Sequence, residues 1–220
     1  MRSLLLGVLA FLACTTISGP LVRSRQLIVV ITPDWTATSG TLQRYERDAH
    51  AWRTVGGPVP VVVGRSGLAS EKREGDGKAP AGIFTLGTAF GFAATAPTRL
   101  AYRQLDESTE CVDDAHSRFY NQIVERTPAS DWTSSEKMRS IAQYRWGIVL
   151  NHNVPATAGA GSCIFLHVWT GPASTTAGCT AMASEDLETI LRWVDPTTSP
   201  RVVQLTRGEY ERRRVSWGLP

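Results

Sequence analysis

The chain has 220 residues, 42% hydrophobic and 20% charged, which is enough apolar material for one well-filled core without a second domain. Its 23 Lys and Arg stand against 20 Asp and Glu. The resulting charge of +3 is small and dispersed, and no basic run interleaves with aromatics, so the composition argues against a nucleic-acid partner.

The N-terminus carries a targeting pattern. Arg2 supplies a positive start, Leu4 to Ala13 an apolar run, and small or polar residues follow up to Gly19-Pro20. This predicts a secretory signal peptide over 1–19, cleaved near Ser18 to Pro20, and a mature domain over 20–220. The expected destination is outside the cytoplasm, in the periplasm or cell envelope. The run is short for a membrane span, and no later segment approaches the ~20 apolar residues a spanning helix needs, so stable membrane insertion is not expected. Cys14 raises a lipoprotein alternative, but Phe11-Leu12 departs from the small residues that usually precede a lipidated Cys, and soluble release is preferred.

Seven apolar or alternating segments read as strands: Gln26 to Thr32, Thr41 to Arg47, Val59 to Gly64, Gly82 to Leu86, Gly147 to Asn151, Ser162 to Val168 and Arg201 to Thr206. Gly, Pro, Asn and Asp clusters separate them, rather than a helix between each pair, which predicts a mainly β sandwich or barrel over a doubly wound fold. Two peripheral helices are predicted. The first opens on a capping box, Thr133 to Glu136, and places Met138, Ile141 and Ala142 on one face. The second is capped by Ser184, carries Glu185 and Asp186 in its first turn, aligns Leu187, Ile190, Leu191 and Val194, and is limited by Pro196. Arg212-Arg213-Arg214 reads as a solvated tail.

Removal of the signal leaves Cys111, Cys163 and Cys179 in a compartment where disulfides persist. Two can pair. The context Ser174-Thr175-Thr176-Ala177-Gly178-Cys179 marks Cys179 as the free thiol, so Cys111 and Cys163 are expected to form the bridge.

Within Ser162 to Val168, alternation puts Cys163, Phe165 and His167 on one face and Ile164, Leu166 and Val168 on the core face. His167 can then meet the sulfur of the following loop. A Cys thiol is only slightly ionised at neutral pH, so a catalytic Cys needs such an imidazole, and Gly178 leaves the backbone open for an oxyanion environment. The predicted catalytic group is Cys179, His167 and Gly178, with Asp113, Asp114 or a backbone carbonyl orienting the ring. The bland alternative is a buried inert Cys beside a satisfied His.

Gly75-Asp76-Gly77-Lys78-Ala79-Pro80-Ala81-Gly82-Ile83-Phe84, then a His-bearing strand and a Gly-Cys loop before a helix, resembles the L,D-transpeptidase catalytic domain family of the YkuD type, from about Gln26 to Thr206. The resemblance implies a β-sandwich of mixed sheets with one or two peripheral helices. It also implies a secreted, cofactor-free enzyme whose Cys179 forms an acyl-enzyme with peptidoglycan stem peptides and cross-links them, with His167 as base and then acid. The chain departs from the family's commonest pattern: Ala177 stands where a His is usual and Ala181 where an Arg or Asn is usual, so it resembles a divergent branch. An L,D-carboxypeptidase or amide hydrolase with the same pair is the alternative within the enzyme class. A non-catalytic wall-binding domain, which needs no reactive thiol, is the alternative outside it.

Tyr120, His152, Asn153, Trp169 and Thr176 are the candidate substrate contacts, and Lys72, Arg73, Lys78 and Arg145 read mainly as surface charges. His152, His167 and a Cys lack any His-Glu-x-x-His or Cys-x-x-Cys spacing, so no metal site is predicted. A monomer is expected.

Overall fold

The computed structural model describes residues 19–49 and 51–220; the predicted signal segment up to Ser18, Cys14 included, lies outside them. Strand β1 (Gln26–Thr32) is apolar on both faces because both are covered. Ile28 and Val30 enter the main core, while Leu27 and Val29 pack with Leu21, Val203, Leu205 and Tyr210 on the other side. β2 (Ser39–Arg47) and β3 (Trp52–Val62) form an antiparallel pair whose register shifts between Leu42 and Arg44. The strand expected over Val59 to Gly64 is the second half of β3, which begins earlier, at Trp52, and stops at Val62. The chain passes straight through Gly56-Gly57-Pro58, with Gly56 at φ +66° beside the irregularity.

One short parallel pair, β4 (Leu68–Ala69) with β5 (Ala79–Pro80), precedes the long β6 (Gly82–Gly91). β7 (Tyr102–Gln104) lies parallel to the end of β6. A separate antiparallel sheet follows, with β8 (Thr109–Val112) between β9 (Ile123–Glu125) and β10 (Ser135–Lys137). The chain then returns through β11 (Trp146–Leu150), β12 (Phe165–Val168), β13 (Thr180–Met182), α1 (Ser184–Trp193), β14 (Arg201–Thr206) and α2 (Arg207–Trp217).

Strand pairing in the large sheet runs β11-β12-β13-β3-β2-β1-β14-β6 and closes on itself, because β6 also pairs with β11. β6 achieves this with its two halves: Gly82 to Thr85 face β14, and Leu86 to Gly91 face β11. The circuit mixes parallel and antiparallel pairs and encloses a core that includes Ile28, Leu42, Val61, Ile148, Leu166 and Val202. This is the expected mainly β sandwich of mixed sheets. Leu187, Ile190 and Leu191 of α1 are fully buried in the same core, so that helix follows its predicted apolar stripe. Its cap differs: β13 runs directly into the helix, Ala183 takes the cap position, and Ser184 is the first helical residue.

Two predicted elements need correction. The helix expected at Thr133 is not formed. Ser135 to Lys137 instead pair with β8, Glu136 opposite Cys111, and two short 3-10 turns follow at Met138–Ser140 and Ala142–Arg145. Thr133 gives its N–H and hydroxyl to the Asp114 carboxylate, both at 2.9 Å, so the capping box has no helix to cap. The supposed solvated tail at Arg212 to Arg214 belongs to α2, whose N-terminal Thr206 hydroxyl accepts the Glu209 N–H at 3.2 Å. No described helix is long and apolar enough to cross a membrane.

The small sheet is anchored by Glu110. Its buried carboxylate accepts from Arg126 Nε (2.7 Å), Trp132 Nε1 (2.7 Å) and Ser135 Oγ (2.5 Å). Burial opposes its ionisation, but these three donors outweigh burial and hold its pKa at about 2. The Cys111–Cys163 disulfide then ties this sheet to the segment entering β12.

Candidate active site

β12 and β13 are parallel neighbours, with Leu166 opposite Thr180 and His167 opposite Ala181. The alternation expected from sequence holds, since Ile164, Leu166 and Val168 enter the main core while Cys163 and Phe165 share a second cluster with Cys179. Cys179 sits just before β13 and belongs to the same face as His167. Gly178 precedes it at φ +157°, where a Cβ would come within 2.9 Å of the Lys78 carbonyl oxygen. The loop therefore needs glycine there for conformation and for space.

His167 donates from Nδ1 to the Val168 carbonyl at 2.8 Å, which fixes the tautomer and leaves Nε2 as the acceptor. Of the three orienting partners considered from sequence, the main-chain carbonyl is the one used. The Cys179 sulfur accepts the Phe165 N–H at 3.3 Å and donates to the Cys163 carbonyl at 3.4 Å rather than engaging the ring. Burial lowers the His167 pKa to about 4. Burial pushes the Cys179 thiol well above its ordinary range, and the Glu136 charge adds to the rise. At neutral pH the resting pair is thus a thiol and a neutral imidazole, not an ion pair.

Two hollows flank the sulfur. One, of about 180 Å³, is lined by Tyr144, His167, Trp169 and Thr176. The other, of about 190 Å³, is lined by Arg65, Lys72, Glu74, Asp113 and Gly178. Cys179, Ala177 and Glu136 line both. A larger hollow of about 350 Å³ beside the disulfide contacts neither Cys179 nor His167.

Glu136 and Tyr144 are the site residues that sequence reasoning missed. The Tyr144 hydroxyl donates to Glu136 Oε2 at 2.6 Å, and its ring meets the His167 ring edge-on at 5.3 Å. Glu136 is part-exposed as a residue, but its carboxyl is withdrawn from solvent, and that burial raises its pKa to about 7. The signal available was the alternation Glu136, Met138, which a strand reading turns inward and a helix reading obscures.

The candidate substrate contacts are divided by the structure. Trp169 and Thr176 line the His167-side hollow. The Thr176 hydroxyl is also a loop clasp, donating to the Cys179 carbonyl at 2.7 Å and accepting the Gly178 N–H at 3.1 Å. Tyr120 stands one step behind the other hollow, its hydroxyl on Glu74, which also accepts from Ser162 at 2.7 Å. His152 and Asn153 line neither hollow: His152 Nε2 bonds the Ala160 carbonyl at 2.8 Å, and Asn153 Nδ2 bonds the Thr157 and Gly161 carbonyls at 3.0 Å. That loop must satisfy its own backbone, and these side chains do so. Lys72 is not a surface charge; it is buried and paired with Asp76 at 2.6 Å.

Fold and site together describe a mixed β-sandwich that presents a main-chain-anchored histidine on one strand, and a cysteine just before the adjacent strand, beside a two-part cleft. The chain belongs to the YkuD family of L,D-transpeptidase catalytic domains, which it matches over residues 26–204. Similar solved structures include Bd1075 from Bdellovibrio bacteriovorus, with 14% identity and a TM-score of 0.45 over 87% of this chain and 53% of that one. The helical cell shape determining protein Pgp2 from Campylobacter jejuni is similar at 14% identity and a TM-score of 0.45, over 82% of this chain and 47% of that one. The chain spans about half the length of each. No curated protein matches it at a comparable level.

Proposed function

We propose that the protein is a cysteine L,D-transpeptidase acting on peptidoglycan stem peptides. The observation that carries this is the placement of His167 on β12 and of Cys179 in the loop immediately before its parallel neighbour β13, both lining one hollow, with Nδ1 of the ring committed to the Val168 carbonyl. Because burial disfavours a preformed thiolate, the proton must leave Cys179 as the sulfur attacks, with His167 Nε2 receiving it. The sulfur adds to the carbonyl at the L-centre of the diamino acid, the bond to the terminal residue's nitrogen breaks, and His167 returns the proton to that nitrogen. An amine of a second stem then attacks the thioester, gives its proton to His167, and regenerates the thiol. The Gly178 N–H is shared with Thr176, so the Cys179 N–H is the donor left nearest the developing oxyanion.

Export is part of this reading. The N-terminal pattern and the Cys111–Cys163 bridge both support a compartment outside the cytoplasm, and N-terminal sequencing of exported protein would find the terminus near Ser18 to Pro20.

The protonated, buried resting thiol favours one rival, a wall-binding domain without activity. Incubating the protein with tetrapeptide muropeptides and identifying products by mass separates them. Cross-linked product is expected, C179A should be folded and inert, and H167A should be slower by on the order of 10²–10⁴-fold, as for loss of a general base. Wild-type conversion by C179A would end the proposal. Release of the terminal residue without cross-links would point to the carboxypeptidase alternative.

A further inference from the structure

Glu136 occupies a position that the chemistry above does not use. It lines the hollow on each side of Cys179, so a group seated in either hollow shares that space with this carboxylate. Its place is fixed from two directions. It lies opposite Cys111 in the small sheet, and Cys111 is bonded to Cys163, whose carbonyl receives the sulfur's proton. Tyr144 fills Oε2, while Oε1 accepts no hydrogen bond from the described residues. The groups facing it are Tyr144, His167 and Cys179 on one side, and Asp113, Glu74, Lys72 and Arg65 on the other. Lys72 is held by Asp76 and by the Arg73 carbonyl, so it does not neutralise Glu136 directly. Asp113 Oδ1 is itself buried without a hydrogen-bond partner.

We propose that Glu136 makes Cys179 responsive to charge: its carboxylate opposes formation of the thiolate, and a primary alkylammonium group seated beside it removes that opposition. The physical basis is that like charge within a desolvated cleft disfavours a second anion, whereas an added cation reverses the sign of the local field. The raised proton affinity of Cys179 agrees with this, burial being its main cause and the Glu136 charge the next, whereas Glu136 itself is raised by its own burial and by Asp113 and Glu74. The purpose of such a device rests on the proposed function, because stem peptides with diamino acids carry an amine of this kind. The nucleophile would then be switched on by its own substrate and stay unreactive towards other electrophiles.

The test needs no turnover. Alkylation of Cys179 by iodoacetamide is followed by peptide mass from pH 6 to 10 in wild type, E136Q and E136D, each with propylammonium or, as a neutral control, propanol. E136Q retains an oxygen for the Tyr144 hydroxyl and should react about tenfold faster than wild type at pH 8.5, where Glu136 is ionised, and nearly equally at pH 6, where it is protonated. E136D keeps the charge and should stay slow. Propylammonium should accelerate wild type several-fold and leave E136Q unchanged, and propanol should do neither. A rate increase in E136Q that is the same at pH 6 as at pH 8.5 would mean only a loosened cleft, and would overturn the proposal, as would equal acceleration of both proteins by the amine. An inert enzyme with a responsive thiol would sink the transpeptidase reading alone; an active enzyme whose thiol ignores E136Q would sink this inference alone.

Discussion

At the scale of single residues, the site places two groups with opposite titration habits side by side. His167 has a folded pKa of about 4 against an ordinary 6.5, so the stability it contributes is present above 6.5 and lost as pH falls towards 4. Glu136 has a folded pKa of about 7 against 4.5, so it is favourable at low pH and its contribution is lost as pH rises from 4.5 to 7. Between 4.5 and 6.5 the two slopes oppose each other and nearly cancel. Replacing Glu136 by Gln exposes the slope of His167. Relative to wild type, E136Q should gain about 1.4 kcal/mol per pH unit from 4.5 to 7, reaching roughly 3 kcal/mol. Urea unfolding of both proteins at four pH values measures this, and a pH-independent difference would refute it. The Cys and the His were legible in the sequence because each has a distinctive local setting, a Gly-Cys loop and a β-alternation. Glu136 and Tyr144 were not, because they reach the cleft from a sheet whose existence depends on pairing with Thr109 to Val112, distant in the chain.

At the scale of elements, that small sheet does more than cover the cleft: it delivers Glu136, Tyr144 follows from its last strand, and Cys111 anchors it. Glu110 holds it together through three donors, with Arg126 stacked 4.9 Å over Trp132. E110A leaves the buried Trp132 N–H without its acceptor and releases the exposed Arg126, which should cost about 2 kcal/mol. With its pKa held at about 2, Glu110 stabilises the fold above pH 4.5, and that contribution is lost as pH falls towards 2. Wild type should therefore lose stability over that acid range more steeply than E110A, which thermal melts at pH 2.5 and 5 would show. The sequence reading failed here for a physical reason. Thr133 to Glu136 has the residues of a capping box, but Asp114 takes the Thr133 hydrogen bonds and β8 takes Glu136. Tertiary pairing overrode a local signal, whereas β1 and β14 kept their predicted limits because their apolar runs are buried on both faces.

At the scale of the whole molecule, the closed strand circuit makes its last strand indispensable. β14 stands between β1 and β6, Val202 enters the main core, and Val203 and Leu205 enter the cluster under α2. Three buried side chains at about 1.5–3 kcal/mol each approach the whole stability of an ordinary domain. A chain ending at Pro200 should show no cooperative urea transition by circular dichroism, and a retained transition would contradict the account. The parallel pairing of Leu27 with Arg201 also sets an order of events in time. The first strand has no permanent neighbour on that side until the last is made, so the cleft cannot mature piecemeal during synthesis. Gln26 to Thr32, apolar on both faces and rich in β-branched residues, is meanwhile a ready nucleus for aggregation. Until Thr206 has been added, one edge of that strand stays open to pairing with another chain.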